Sequence, residues 1–227
     1  MRSVKILADM LGKISRAASF LLLIVNLRFH RGARQIVDFI LSNPSIRPLQ
    51  VPSELHRFAE IVASICPKRV LEIGTFQGGT LCMLARLSAP RATIISIDLP
   101  GGEFGGGQSN VRSLLYHTFG KSFQRMHLIR GNSHSEAVAA RVRRITQSLD
   151  VLFIDGDHTY QGVKHDFLSY SPLIRRGGIV AFHDIAEHPE KAGGDVPRFW
   201  NELKASHRHE EIIKNPEQGW GIGVLYF

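Results

Sequence analysis

From Arg69 onward, short apolar runs alternate with longer stretches of helical character, and this alternation restricts the fold more than any other feature of the chain. The runs are Arg69–Gly74, Ala92–Asp98, Met126–Arg130, Asp150–Asp155 and Gly178–Asp184. Each is short and nearly all apolar inside, as strands covered on both faces must be. Between them lie Gly79–Ser88, Asn110–Phe119, Ser135–Gln147 and Tyr160–Ile174, each long enough for a crossover helix. The pattern predicts a parallel sheet wrapped by helices, with every helix-leading loop at the carboxyl edge. After Asp184 the order changes. Asp195–Ser206 reads as a helix, and Glu210–Lys214 and Gly221–Phe227 as two strands whose short link predicts an antiparallel pair. Gly101–Gly107, rich in glycine and inside the alternating pattern, is expected to be a mobile loop over the site.

Composition matters here for its charge. The net charge is +8, and seven basic residues against Asp9 alone put +6 of it in Met1–Gln35; the remaining 192 residues carry +2. Wound as a helix, Val4, Leu7, Leu11, Ile14, Ala18, Leu21, Leu22 and Val25 share one face, with Arg2, Lys5, Lys13 and Arg16 opposite. The uncharged run Ala17–Leu27 is 11 residues, short of the roughly 20 that span a bilayer. No transmembrane helix is expected, and no small-x-small site follows the run as a signal peptide would require. Residues 1–50 are thus expected to form a basic amphipathic helical extension, and 51–227 the main domain. Two readings of the extension stand open. It docks, through residues 1–34, on the inner face of an anionic membrane or on a partner helix; or its apolar face covers the core or a second subunit, making a homo-oligomer. Because the charge clusters there and not beside the sheet edge, nucleic acid is not expected as a partner. Two cysteines, Cys66 and Cys82, make neither a disulfide framework nor a metal knuckle, and read as buried thiols in a reducing, cytoplasmic setting.

Chemistry-bearing residues gather at predicted carboxyl ends of strands. The first strand runs into Gly74, Gly78 and Gly79, where the chain must turn sharply and let a ligand approach its backbone. This spacing differs from Gly-x-Gly-x-x-Gly and argues against a nicotinamide or flavin dinucleotide. Asp98 closes the second strand, 24 residues after Gly74, where an acid can accept hydrogen bonds from ribose hydroxyls. Asp155, Asp157 and His158 close the fourth strand, and His183 and Asp184 the fifth, so several ionisable groups converge on the crevice of the sheet.

Val70–Thr80, Ile97–Asp98 and Asp150–Tyr160 together resemble the class I S-adenosylmethionine-dependent methyltransferases, in particular the small-molecule O-methyltransferase branch that includes cephalosporin-hydroxylase-like and macrolide-sugar enzymes. The resemblance runs from about Val51 to Phe227. It implies an α/β fold: a Rossmann-like, doubly wound, seven-stranded sheet, mostly parallel with the last strand antiparallel. It implies S-adenosylmethionine as cofactor and a hydroxyl of a small molecule or glycan as acceptor. A hydroxylase-like or non-catalytic cofactor-binding protein on the same fold is the alternative. By the same resemblance Gly74 and Gly78 lie beside the methionine moiety, Glu72 shapes their loop, Asp98 holds the ribose, and Ser133 and His134 lie near the adenine. An ordinary N-cap role for Ser133, and amide capping by Glu72, remain open.

Methyl transfer to a hydroxyl needs that hydroxyl stripped of its proton, by a general base or a metal that acidifies it. The resemblance implies a divalent cation on Asp155, His183 and Asp184. His183 departs from the acid or amide of the family's pattern and suits zinc, iron or manganese better than magnesium. Asp157 matches the general base of the sugar-methylating relatives, with His158 the adjacent candidate; capping of the next helix is the other reading of Asp157. Trp200 and Trp220 line a substrate pocket or fill the core, and Arg141, Arg143 and Arg144 attract an anion or form a solvated face.

Overall fold

In a computed structural model, the described residues are 23, 25–27, 29–30, 32–101, 110–187, 195–215 and 220–227. Most of the basic N-terminal stretch, the Gly101–Gly107 loop beyond Gly101, and the link between the last two strands lie outside them.

Seven strands form one sheet: β1 (Arg69–Ile73), β2 (Thr93–Asp98), β3 (Arg125–Arg130), β4 (Leu149–Ile154), β5 (Ile174–His183), β6 (Arg208–Ile212) and β7 (Ile222–Tyr226). Their order is β3-β2-β1-β4-β5-β7-β6. The pairs from β3 through β5 are parallel, and β7 runs antiparallel to both β5 and β6. This is the doubly wound, mostly parallel sheet with a reversed final strand that the residues and the resemblance predict.

Among the described residues seven helices of eight or more residues flank it: α1 (Ala33–Ser42), α2 (Pro52–Ile65), α3 (Gly79–Leu87), α4 (Asn110–His117), α5 (Glu136–Ile145), α6 (Tyr160–Tyr170) and α7 (Val196–Lys204). Alternation along the strands splits the core into two layers, since successive side chains point to opposite faces. Val70, Ile94, Val151 and Val224 pack with α1 to α4 on one face; Leu71, Ile95, Leu152 and Leu225 pack with α5 to α7 on the other. Leu23 and Leu27, at the end of the basic stretch, belong to the first layer, and the Arg86 guanidinium donates to the Leu27 carbonyl at 3.2 Å. Among the described residues no helix is long and apolar enough to cross a membrane.

Three local details depart from expectation. β5 starts at Ile174, four residues before the predicted Gly178, because Gly177 (φ 77°) and a register shift between Leu149 and Val151 keep the chain extended after the Ser171–Leu173 turn. β6 sits two residues earlier than predicted. Cys66 is exposed, where a buried thiol was expected: it is the left-handed C-cap of α2 (φ 47°), while Cys82 is buried in α3.

Candidate active site

The glycine turn after β1 is built by close approach. Gly74 has φ 86°, and a Cβ there would lie 1.9 Å from the Asp155 carbonyl oxygen, so β1 and β4 can exit side by side only with glycine at this position. Gly78 (φ 88°) N-caps α3 against the Tyr116 ring, which a Cβ would meet at 2.5 Å. Asp98, closing β2, reaches back to this turn: its Oδ2 accepts the Phe76 N–H at 3.1 Å and the Thr75 N–H at 3.3 Å. Burial raises its pKa, and the Leu99, Thr75 and Phe76 amides work against that rise. Arg112 and Tyr116 of α4 both donate to the Phe76 carbonyl, at 3.3 and 2.8 Å, locking the outer side of the turn.

Under the turn lies Glu72, with no exposure. Burial first, then the Asp155 and Asp98 charges, push its pKa up to about 8, against lowering by the Thr80 and Thr75 hydroxyls. At neutral pH it is a protonated carboxylic acid.

Beside the turn, the ends of β4 and β5 bring four ionisable groups together. Asp155 Oδ1 lies 3.1 Å from His183 Nδ1 and 3.4 Å from His158 Nε2; Asp184 lies 3.0 Å from His158 Nδ1 and 3.1 Å from His183 Nδ1. Two acids and two imidazoles thus alternate in a closed ring. Asp184 holds its place with φ 60°, a left-handed conformation uncommon for a residue with a Cβ and concentrated at functional sites. Hydrogen bonds to Asp155 and Asp184 raise the His158 pKa to about 10 against burial, outside the ordinary histidine range that the sequence alone suggests. Burial would raise Asp155, but the His183 and His158 charges outweigh it and bring its pKa down to about 2. His183 is 3% exposed; burial opposes its charging, and Asp155 and Asp184 outweigh burial to raise its pKa.

The three residues to which the resemblance gives a cation, Asp155, His183 and Asp184, lie together in this ring. Both carboxylates come to 3.1 Å from the same nitrogen, His183 Nδ1, and the buried Asp184 Oδ1 accepts no well-formed hydrogen bond. Asp155, Asp184 and His183 would hold such an ion.

The other expected site residues fall in different surroundings. Asp157 is exposed; its Oδ1 accepts the Thr159 N–H at 2.9 Å, and the helix cap of α6 is made by Thr159, whose hydroxyl accepts from the Gly162 amide at 3.0 Å. Asp157 therefore faces the start of α6, outside the ring that contains His158. Ser133 and His134 follow β3 beside α6, where the Tyr170 hydroxyl donates to the Ser133 carbonyl at 2.7 Å and His134 Nε2 lies 3.5 Å from Asp166. Trp200 is core, 1% exposed, with its indole N–H donating to Glu211 at 2.6 Å, whereas the Trp220 ring lies 5.8 Å from that of His183 at the site.

Sequence reasoning missed Gln50. Its buried side chain donates from Nε2 to Asp155 Oδ2 at 2.7 Å, so the segment before α2 supplies a wall of the site. A polar residue among Pro48, Leu49, Val51 and Pro52 is a faint signal, and nothing local points to an acid 105 positions away.

The sequence profile of the methyltransferase domain family matches residues 71–185, half of the chain, from β1 through the Asp184 turn. An uncharacterized protein of Acanthamoeba polyphaga mimivirus is 31% identical over 121 residues, covering 52% of this chain, which spans about half the length of that relative. The fold is similar to that of an O-methyltransferase from Bacillus cereus in complex with S-adenosylhomocysteine (TM-score 0.57, 14% identity, 86% of this chain and 90% of that one). It is also similar to the MycE methyltransferase of the mycinamycin biosynthetic pathway, in complex with magnesium, S-adenosylhomocysteine and mycinamycin VI (TM-score 0.52, 20% identity, 75% of this chain and 48% of that one). The glycine turn joined to Asp98 and the acid–imidazole ring thus sit in a chain that belongs to the methyltransferase domain family, on the fold of the class I S-adenosylmethionine-dependent enzymes.

Proposed function

We propose that the protein transfers the methyl group of S-adenosylmethionine to a hydroxyl of a small molecule or glycan. The observation that carries this reading is the juxtaposition, on one sheet edge, of a glycine turn tied to Asp98 and the ring of Asp155, His158, His183 and Asp184. In this reading the turn from Gly74 to Gly78 holds the methionine part of the cofactor, Asp98 the ribose, and Ser133 and His134 flank the adenine. Methyl transfer is an in-line displacement on a sulfonium, so positioning and removal of the hydroxyl proton are what the protein must supply.

His158 is the group we assign to that proton. It lies within the ring, 3.0 to 3.4 Å from two carboxylates that orient both of its nitrogens, whereas Asp157 is engaged with the Thr159 amide. A divalent cation on Asp155, His183 and Asp184 would acidify the hydroxyl and answer the acids' charge, which frees His158 to accept a proton; the MycE complex contains magnesium. The basic stretch over residues 1–34 is proposed to dock on anionic membrane lipid.

The test is titration calorimetry with S-adenosylhomocysteine, followed by methyl-transfer assays on panels of hydroxylated small molecules and glycans. The native chain should bind it, Asp98→Ala should weaken binding about tenfold or more, and His158→Ala should bind normally while losing turnover. No binding at millimolar ligand refutes the cofactor assignment. Tight binding with no transfer to any hydroxyl acceptor supports the cofactor-binding alternative in place of an enzyme.

A further inference from the structure

A second group of metal-type donors lies away from the acid–imidazole ring and shares no residue with it. His134, in the loop between β3 and α5, and His165 and Asp166, on α6, each offer a ligand atom within 4.8 Å of the others. The His134 and His165 rings are 4.6 Å apart at 44°, and His134 Nε2 stands 3.5 Å from Asp166 Oδ1.

Asp166 is the telling residue. Its side chain has no exposure, and neither carboxylate oxygen receives a well-formed hydrogen bond; His134 Nε2, also buried, has none either. A buried carboxylate is among the costliest groups in a fold, and here the Ser133 hydroxyl is the one neighbour that offers it hydrogen-bond relief while two imidazoles stand within 4.8 Å of it. A simple His134–Asp166 ion pair accounts for one imidazole but leaves the 3.5 Å gap and gives His165 no role. A cation among the three answers all of them. His165 Nδ1 lies 3.3 Å from the Ser169 hydroxyl, the kind of partner that orients a ligating imidazole through its other nitrogen. The His134 N–H to the backbone side is fixed by Asn132 Oδ1 at 2.9 Å, which positions the loop. The group opens on a shallow cleft of about 360 Å³ lined by His134, Asp157, Gly162, Lys164, His165 and Leu168, an entry path with room for a water as fourth ligand.

We propose that His134, His165 and Asp166 bind a zinc-type divalent cation that clamps the loop after β3 onto α6. Two imidazoles and one carboxylate select zinc or a neighbouring first-row transition metal over magnesium or calcium, which demand oxygen donors. The proposal shares His134 with the adenine-flanking role assigned above, but it predicts metal binding to the chain without any cofactor, so its test stands apart from methyl transfer.

The experiment uses the full chain stripped of metal by chelation. Zinc should bind at micromolar concentration in a competition assay with a chromophoric chelator and raise the melting temperature by mass action. Cobalt in its place should give the visible absorption of a low-coordinate nitrogen- and oxygen-ligated ion. His165→Ala removes an exposed ligand, so it should fold with the melting temperature of the metal-free native chain, yet lose one zinc equivalent, or bind it at least tenfold more weakly. Asp184→Asn should leave that equivalent in place, which separates the site from the ring at β4 and β5. Unchanged zinc stoichiometry and affinity in His165→Ala, loss of the same equivalent in Asp184→Asn, or binding only at millimolar zinc would each overturn the proposal. Asp166→Asn supplies a further reading if it folds, with the same loss expected.

Discussion

Glu72 carries the most unusual protonation state at the glycine turn, and its consequences can be measured without knowing the substrate. Folding raises its pKa from 4.5 to about 8, so the native state holds a proton that the unfolded chain releases between those values. Stability is full below pH 4.5 and declines as pH rises toward 8. Glu72→Gln keeps the shape and removes the titration. The variant should match the native protein near pH 5 and exceed it in melting temperature at pH 8 and above; a constant difference at every pH would refute a buried, protonated Glu72. Its neighbour Gly74 has no tolerated substitute, since alanine would strain φ and collide with the Asp155 carbonyl. Gly74→Ala should cost more than about 2 kcal/mol in chemical denaturation, and a near-neutral effect would mean β1 and β4 do not exit in contact. At this scale the site was half legible. Asp98, Asp155, His158, His183 and Asp184 follow apolar runs directly, so strand ends mark them. Gln50 and the partition of Asp157 from His158 depend on packing between distant segments and on side-chain direction in one turn, which spacing does not encode.

Among the elements, β1 to β4 were legible to within a residue, and β5 from Gly178 on, because burial on both faces leaves an unbroken apolar run between polar ends. Helices α1 and α2 were not resolved as separate elements. Their apolar residues merge with the preceding basic stretch, and only packing against α3 and the sheet shows that Ile36, Ile40, Phe58 and Val62 are core. β6 was misplaced by two residues because Arg208 and His209 pair on an edge strand whose side chains remain solvated, so apolarity does not mark its start. What registers the strands at their amino ends is Asp150. Its side chain, 3% exposed, accepts the Lys68 and Arg69 N–H groups at 2.8 and 2.7 Å and pairs with Arg175 of β5, tying three strands at one carboxylate. Burial works to raise its pKa, but Arg175 and the two amides outweigh it and lower it. The contribution is therefore complete above about pH 4, the unfolded value, and is lost as pH falls through the lower folded value. Asp150→Asn should destabilise by about 2 to 4 kcal/mol at neutral pH, with the gap to the native protein narrowing in acid unfolding. A gap that stays the same down to pH 2 would show that the carboxylate charge contributes nothing.

For the whole molecule, the uneven charge and the two-layer core meet at one boundary. The basic stretch carries +6 of the net +8, yet its last apolar residues, Leu23 and Leu27, are buried with α1 and α3. The end of the stretch thus behaves as core, while the membrane proposal rests on the charges before it, Arg2, Lys5, Lys13 and Arg16. The two roles separate in truncations. Removing residues 1–22 should leave the melting temperature and S-adenosylhomocysteine binding unchanged while abolishing co-sedimentation with phosphatidylserine vesicles. Removing residues 1–34 should in addition lower the melting temperature, because it takes away two fully buried leucines, worth about 1.5 to 3 kcal/mol each, and the Arg86 contact. Co-sedimentation of the native chain should weaken as salt rises from 0.05 to 0.5 M, as expected when exposed charges supply much of the attraction. Vesicle binding that survives removal of residues 1–22, or a native chain that never binds, defeats the membrane proposal; a shorter truncation that already melts early would extend the core-covering role to the whole stretch.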